Sequence, residues 1–290
     1  MLQNIDYTDN VSQLKEDDSL FSEEFPYMLW RKNYEGIGEE IMLHYHESFE
    51  IIASERLEGE RIIEGQKFSL SGSTIFVIPP GALHSATIES NHGKSIILKF
   101  SIDALSRFIN IKNIFSTLGI GLNQVPFTSE YYPELTKHIK TLEEADVTDI
   151  FNKLGIFTSL FRSIHKSCIS EGAATKDISM NIFAHNNKIR KIIDWTNKNY
   201  EKKIYLDEAA QHVGLSKIYF CKYFKKITNN TYLNYVNQVK IEKATKLLLE
   251  GESVTEASYS CGFSNISYFI QLFRKVKGVT PTKYVKDMLA

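Results

Sequence analysis

With 290 residues, 43% of them apolar, the chain is long enough to pack two cores. Its 34 basic and 35 acidic residues nearly cancel, but they are segregated: Asn186–Ala290 holds 18 Lys and Arg against 9 Asp and Glu, a net of +9, which leaves 16 against 26, a net of −10, for the residues before it. A basic half attracts a phosphate backbone that an acidic half repels. No apolar run reaches the ~20 residues that cross a bilayer, Met1 to Ser22 is polar and acidic without a secretory core, and Cys168, Cys221 and Cys261 form no CxxC pair. Those features argue against a membrane protein, a structural zinc site and a disulfide framework, and they predict a cytoplasmic chain.

In chain order, residues from about Leu29 to Phe100 alternate apolar and polar side chains in short runs, broken by turn signals. Glu50-Ile51-Ile52-Ala53, Arg61-Ile62-Ile63-Glu64, Thr74-Ile75-Phe76-Val77-Ile78 and Ser95-Ile96-Ile97-Leu98-Lys99-Phe100 are such runs, with Gly65-Gln66 at a break. Short strands at regular spacing predict a β-sandwich or barrel. Pro79-Pro80-Gly81 ends one strand, because proline cannot donate to a ladder. After Ser101 the period becomes helical, with Ile102, Leu105, Phe108 and Ile109 on one face. Two further helices are predicted, over about 133–145 and 150–167.

Residues two apart on a strand share a face, so His44 and His46 can look into one interior. Gly38, His44, His46 and Glu50 match the first cupin motif, and Gly72, Pro79, Gly81 and His84 approximate the second, with one extra residue and Ile88 in place of Asn. This half resembles the cupin barrel. Three His and one Glu are a ligand set for a first-row divalent metal, and a metal-dependent cupin enzyme has to be weighed. Against it stand the departures in the second motif. The reading adopted is an effector pocket of His44, His46, Glu50 and His84 with no metal and no cofactor; polar residues merely lining the barrel are the blander alternative.

The helix over 150–167 presents Phe151, Leu154, Phe157, Thr158, Phe161 and Ile164 or His165 at spacings of three and four. This stripe packs on its own domain or forms a seam between two protomers. From Cys168 onward, small and polar residues without periodicity predict a linker. The expected division is 1–167, linker 168–186, and 187–290.

In the basic half, Tyr219-Phe220-Cys221-Lys222-Tyr223-Phe224-Lys225-Lys226 returns 49 positions later as Tyr268-Phe269-Ile270-Gln271-Leu272-Phe273-Arg274-Lys275. Ala209-Ala210 through Gly214-Leu215-Ser216 precedes the first copy, and Ala257-Ser258 through Gly262-Phe263-Ser264 the second. Helix, glycine turn and basic-tipped helix, given twice, outline a tandem helix-turn-helix over about 206–226 and 254–275. A first helix over 187–200 should bury Ile189, Ile192, Ile193 and Trp195-Thr196. A long helix over 232–250, burying Leu233, Val236, Val239, Ala244, Leu247 and Leu248, should join the two units. Phe220, Phe224, Phe269 and Phe273 must point inward. That leaves Lys217, Ile218, Cys221, Lys222 and Lys225 facing out on one helix, and Asn265, Ile266, Ser267, Ile270, Gln271 and Arg274 on the other.

Gly262-Phe263-Ser264-Asn265, Tyr268-Phe269, Phe273-Arg274-Lys275 and Gly278-Val279-Thr280-Pro281 with Tyr284 resemble the signature of the AraC/XylS family of transcription regulators. The likeness covers about Asn186 to Asp287, and the barrel before it is similar to the family's sensing domain. Two positions depart from the pattern: Asn229 stands where Gly is usual, and Lys240 stands where Arg is usual, a weaker phosphate or carboxylate partner. The resemblance implies two recognition helices in successive major grooves. Base contacts would fall on Ile218, Cys221 and Lys222, and on Ile266, Ser267 and Gln271 with Asn265 beside them.

The sequence therefore predicts an α+β chain, a cupin-like barrel with accessory helices followed by an all-α DNA-binding domain. Its expected function is sequence-specific transcription regulation, not catalysis. The expected partners are double-stranded promoter DNA, a second copy of the chain, a small effector and, for an activator, RNA polymerase.

Overall fold

In a computed structural model the chain divides into two compact units, one drawn from most of the chain up to His185 and the other from Asn186–Ala290. The described residues are 27–35, 39–78, 80–90, 92–101, 105, 132–146, 149–170 and 187–289. Gly38, Pro79, residues 171–186 and, apart from Leu105, the helix expected through Ile102, Phe108 and Ile109 lie outside them.

Six antiparallel strands form one curled sheet, a half-barrel: β1 (Tyr27–Glu35), β2 (Glu39–His44), β3 (Phe49–Ile63), β4 (Gln66–Ile78), β5 (His84–Ile88) and β6 (His92–Phe100). The runs expected as separate strands at 50–53 and 61–64 are the two ends of the single strand β3. A bulge between Ser54 and Leu57, with Arg56 at φ 56°, takes up the irregularity that suggested a break. β4 pairs with β3 along nearly its whole length, while the other edge is shared: β6 takes Phe49–Glu55 and β5 takes Gly59–Ile63. The bulge also resets the side-chain alternation, so that Ile52, Leu57 and Ile63 share one face and one cluster.

Both faces of the sheet are buried, as its apolar doublets require. One packs Phe49, Ile51, Ala53, Ile75, Val77, Leu98 and Phe100 against α1 (Tyr132–Glu144) and α2 (Ile150–Ser170). Phe100 is the hub, 5.0 Å from the ring of Phe49, 5.2 Å from Phe157 and 5.5 Å from Phe161. The buried stripe of α2 is Ile156, Phe157, Leu160, Phe161 and Ile164. Phe151 and Thr158, expected within it, face solvent, because the stripe keys to the phase set by the Phe100 cluster. Phe157 and Phe161 are therefore spent on their own sheet. α2 itself runs on to Ser170, past the expected linker start at Cys168.

The second unit is helical: α3 (Asn187–Asn199), α4 (Leu206–His212), α5 (Lys217–Thr228), α6 (Tyr232–Leu249), α7 (Val254–Ser260), α8 (Ile266–Lys277) and α9 (Pro281–Leu289). In α3, Ile189, Ile192, Ile193 and Thr196 are buried, but Trp195 is only half-buried, tilted 5.5 Å from His212. In α6, Leu233 is exposed and Leu247 half-buried. Their expected places are taken by Tyr232 and Tyr235, whose rings meet Phe224; Tyr232 also packs edge-on against Phe220 at 4.9 Å. The Tyr232 hydroxyl remains satisfied by Thr196 Oγ1 at 2.7 Å. Around the second half of α6, Ile241, Ala244, Leu248, Ala257, Cys261, Phe263, Phe269 and Phe273 form the second core.

Helix ends follow the sequence closely. Ser216 caps α5, Thr231 caps α6, and Ser253 with Glu256 forms a capping box on α7. Asn229, in the place of the family's usual glycine, ends α5 in the left-handed conformation at φ 55°.

Burial pushes the Cys261 thiol up to about 12, whereas Cys221 is half-buried on α5. Iodoacetamide at pH 8 should therefore modify Cys221 in the native chain and reach Cys261 only after unfolding, as read by peptide mass spectrometry. Equal labelling of both in the native chain would contradict this packing.

Candidate nucleic-acid interface and sensing site

The first helix-turn-helix is α4, a turn at Gly214 (φ 66°), and α5. Because Phe220 and Phe224 are buried, Lys217, Ile218, Lys222 and Lys225 are exposed and Cys221 is half-exposed. Lys217 Nζ donates to Asp207 Oδ2 at 2.8 Å, and this hydrogen bond raises the Lys217 ammonium above its ordinary range. Tyr219, not expected among the outward residues, is also exposed and stacks on Tyr223 with an interplanar angle of 11°. It is adjacent to Ile218, and its place in the repeat was the signal available in the sequence.

The second unit is α7, a turn at Gly262 (φ 71°), and α8. Phe269 and Phe273 point inward, while Ser267, Gln271 and Arg274 are exposed and Ile266 is half-buried. Two expectations change here. Ile270 does not face out freely but packs against the second core. Asn265 is exposed, yet its Oδ1 accepts from the Tyr268 backbone N–H at 2.9 Å, so it serves as the α8 cap. The matching tyrosine, Tyr268, is held differently from Tyr219: its hydroxyl accepts from Asn237 Nδ2 of α6 at 3.2 Å.

Lys240, read from the sequence as a weak phosphate or carboxylate partner, has another employment. Its buried Nζ donates to the backbone carbonyls of Lys202 and Gly262, each at 2.9 Å. Burial lowers the Lys240 ammonium, and those two carbonyls replace lost water. A Cβ built on Gly262 would lie 2.6 Å from Lys240 Nζ and 2.6 Å from the Glu201 carbonyl, so only glycine fits that turn. Two residues further along α6, Glu242 receives the buried Lys277 of α8 at 2.8 and 2.9 Å. Thus α6 grips both the turn and the far end of the second recognition helix.

A family model described as "Helix-turn-helix domain" matches residues 209–287. The chain is 39% identical over 100 residues to YdeC of Bacillus subtilis (strain 168), named an uncharacterized HTH-type transcriptional regulator; the match spans 34% of either chain. It is 24% identical over 241 residues to RhaS of Citrobacter koseri, named a transcriptional activator, covering 80% of this chain and 83% of that one. The chain is a DNA-binding transcription regulator whose residues 209–287 form an AraC-type helix-turn-helix domain. ToxT of Vibrio cholerae shares the regulator's fold, with a TM-score of 0.51 at 13% identity over 89% of this chain and 97% of that one.

In the regulator's half-barrel the sequence-selected side chains come together. His44 closes β2, Glu50 lies at the start of β3, His84 opens β5, and His46 lies between β2 and β3; all four are buried. The turn at Gly81 is fixed by its N–H donating to the His46 carbonyl at 2.7 Å. Each histidine turns Nδ1 onto a backbone carbonyl: His44 to Met42 at 2.8 Å, His46 to Ser48 at 2.9 Å, His84 to Ala82 at 2.8 Å. A carbonyl can only accept, so each Nδ1 carries a proton.

The Nε2 atoms of His46 and His84 lie 3.4 and 3.3 Å from the same Glu50 oxygen. An ionised carboxylate has only lone pairs, so those contacts attract when Nε2 is protonated or a cation lies between. Burial pulls the Glu50 carboxyl upward, but the bonds and charges of His46 and His84 prevail and hold it well below its usual range. Burial meanwhile lowers the His84 imidazole, with Glu50 opposing. The cluster thus asks for more positive charge than burial readily lets its imidazoles carry. Ligand atoms of His44, His46 and His84 lie within 4.8 Å of one another, so these three, with Glu50 beside them, are the residues that could hold a divalent cation.

Lys240→Met should leave the part-buried carbonyls of Lys202 and Gly262 without their donor and cost about 1–3 kcal/mol. Urea denaturation of the full chain, followed by a probe in the helical unit, measures it. An unchanged midpoint would mean that the tie does not hold the turn.

Proposed function

We propose that α5 and α8 enter successive major grooves on one side of promoter DNA. The observation that carries this reading is the repeated division of each helix, with Phe220/Phe224 and Phe269/Phe273 buried and charged or amide side chains exposed on the other side. In a groove, Lys222 suits guanine O6/N7, Gln271 suits adenine, and Ile218 suits a thymine methyl. Cys221, Ile266 and Ser267 line the same surfaces, while Lys217, Lys225 and Arg274 supply charge for phosphates and Asn265 holds α8 in shape.

The half-barrel with His44, His46, Glu50 and His84 is the sensing part, and the break between sensing and DNA binding falls within 171–186. The relatives are named as regulators, which favours this reading over a metal-dependent enzyme tethered to DNA. The likeness to RhaS, named an activator, supports an activating role with RNA polymerase as partner. Two copies would pair through a surface other than the buried stripe of α2. No helix of the described residues is long and apolar enough to cross a membrane, which is consistent with work on DNA in the cytoplasm.

Two substitutions separate the kinds of DNA contact. Gln271→Ala should cost about 1–3 kcal/mol at one base-pair position and relax preference there. Lys225→Ala should weaken all sequences alike and reduce the salt dependence of binding. Both are read by titrating the full chain with operator variants at several salt concentrations, and uniform losses from both would sink the assignment of α8.

His46→Ala should alter a promoter-reporter response while leaving operator affinity in vitro nearly intact, because it changes only the coupling between sites, typically ~1–3 kcal/mol. A folded variant with an unchanged reporter response across growth conditions would return these histidines to a structural role.

A further inference from the structure

Arg61 is the largest fully buried side chain among the described residues. It stands in the C-terminal half of β3, opposite Phe68 on β4 and Ala86 on β5. It shares a face with Ile63, on the side of the sheet away from α1 and α2. Its guanidinium lies 5.1 Å from the centre of the Phe76 ring. Among the described residues Nε has no hydrogen-bond partner, and no carboxylate forms an ion pair with the side chain. Glu50 and Tyr34 are close enough to act on its charge, but the Glu50 carboxylate is engaged by His46 and His84. Lys99, directly across from Glu50, is a second buried cation on this face, 5.9 Å from the centre of the Trp30 ring.

A buried guanidinium without a counter-ion destabilises a fold far more than an apolar side chain of its size would. Such a group is worth keeping when an anion arrives to meet it, and a planar fork of donors matches a carboxylate. Around it the wall is apolar: Tyr34, Ile52, Phe76 and Ile97 belong to one cluster. We propose that this face of the half-barrel binds a small organic acid, its carboxylate received by Arg61 and its apolar body lying against Phe76, Tyr34 and Ile97. His84 pairs with Ile63, one step along the same face, so the acid's charge is felt by the histidine cluster. The proposal rests on the sensing role assigned above and names the ligand class.

The test uses the full chain and its thermal unfolding midpoint. The probes are hexanoate, succinate and inorganic phosphate, with hexanamide and succinamide as neutral counterparts. Hexanoate should raise the midpoint with concentration, more than succinate and phosphate, and the amides should not. Arg61→Met should raise the midpoint of the ligand-free chain and weaken hexanoate binding by more than about tenfold. A lower midpoint or failure to fold in Arg61→Met overturns the proposal, because Arg61 is then a compensated structural residue. So does a rise from phosphate alone, an equal rise from the amides, or no rise from any acid. If no acid acts yet His46→Ala still changes the reporter, the sensing role survives and only the ligand class fails. If His46→Ala is silent as well, the sensing role fails with it.

Discussion

The helical unit depends on α6 being buried on more than one side. Its first half takes the aromatic core of α5 through Tyr232 and Tyr235, and its second half takes that of α8 through Ile241, Ala244 and Leu248. Buried polar side chains then specify the geometry that apolar packing leaves loose: Lys240 on two carbonyls and Glu242 on Lys277. An apolar contact tolerates a small slide; a buried ammonium with fixed acceptors does not, because misalignment leaves charge unsolvated. Three charged side chains that contribute little to the outer surface therefore fix α8 and the turn before it against α6.

The two recognition helices are alike in core and unlike in dress. Tyr219 stacks on its own helix, whereas Tyr268 is tied across to α6, and Lys217 is held by Asp207 while the N-terminus of α8 has the uncharged Asn265 cap. As the groove contacts proposed above, one basic, aromatic surface and one amide-rich surface would suit two different half-sequences, not a repeated one. A tandem duplication explains the shared phenylalanine pairs, while most of the divergence in chemistry lies at exposed positions.

Much of this was legible in the sequence, because helix caps, glycine turns and the Phe i, i+4 pairs are local rules read over a few residues. The misses were set by distant partners. Leu233 and Tyr232 are neighbours that the helical period alone cannot rank; the phase is decided by Phe220 and Phe224. Phe151 looked like part of a stripe until Phe100 fixed which face of α2 is inward. β3 looked like two strands because nothing local shows that Arg56 adopts a positive φ. The histidine cluster was legible through the His44-x-His46 spacing and the cupin-like motifs that add Glu50 and His84, although His46 itself lies between β2 and β3. Arg61 was passed over, although its alternation with Ile63 already placed a charge where an apolar residue was due.

The shared edge of β3 has a kinetic side. Its hairpin with β4 closes locally, but the seam with β6 joins Phe49 to Phe100, and the sheet is incomplete until that distant strand is made. The helical unit, by contrast, is built from contacts between helices adjacent or nearly so along the chain. Folding slows as the mean separation of contacting residues grows. Although the half-barrel leaves the ribosome first, the topology favours the helical unit maturing faster once synthesised. On the function proposed above, a newborn chain can then hold DNA before its half-barrel is complete and able to answer a ligand.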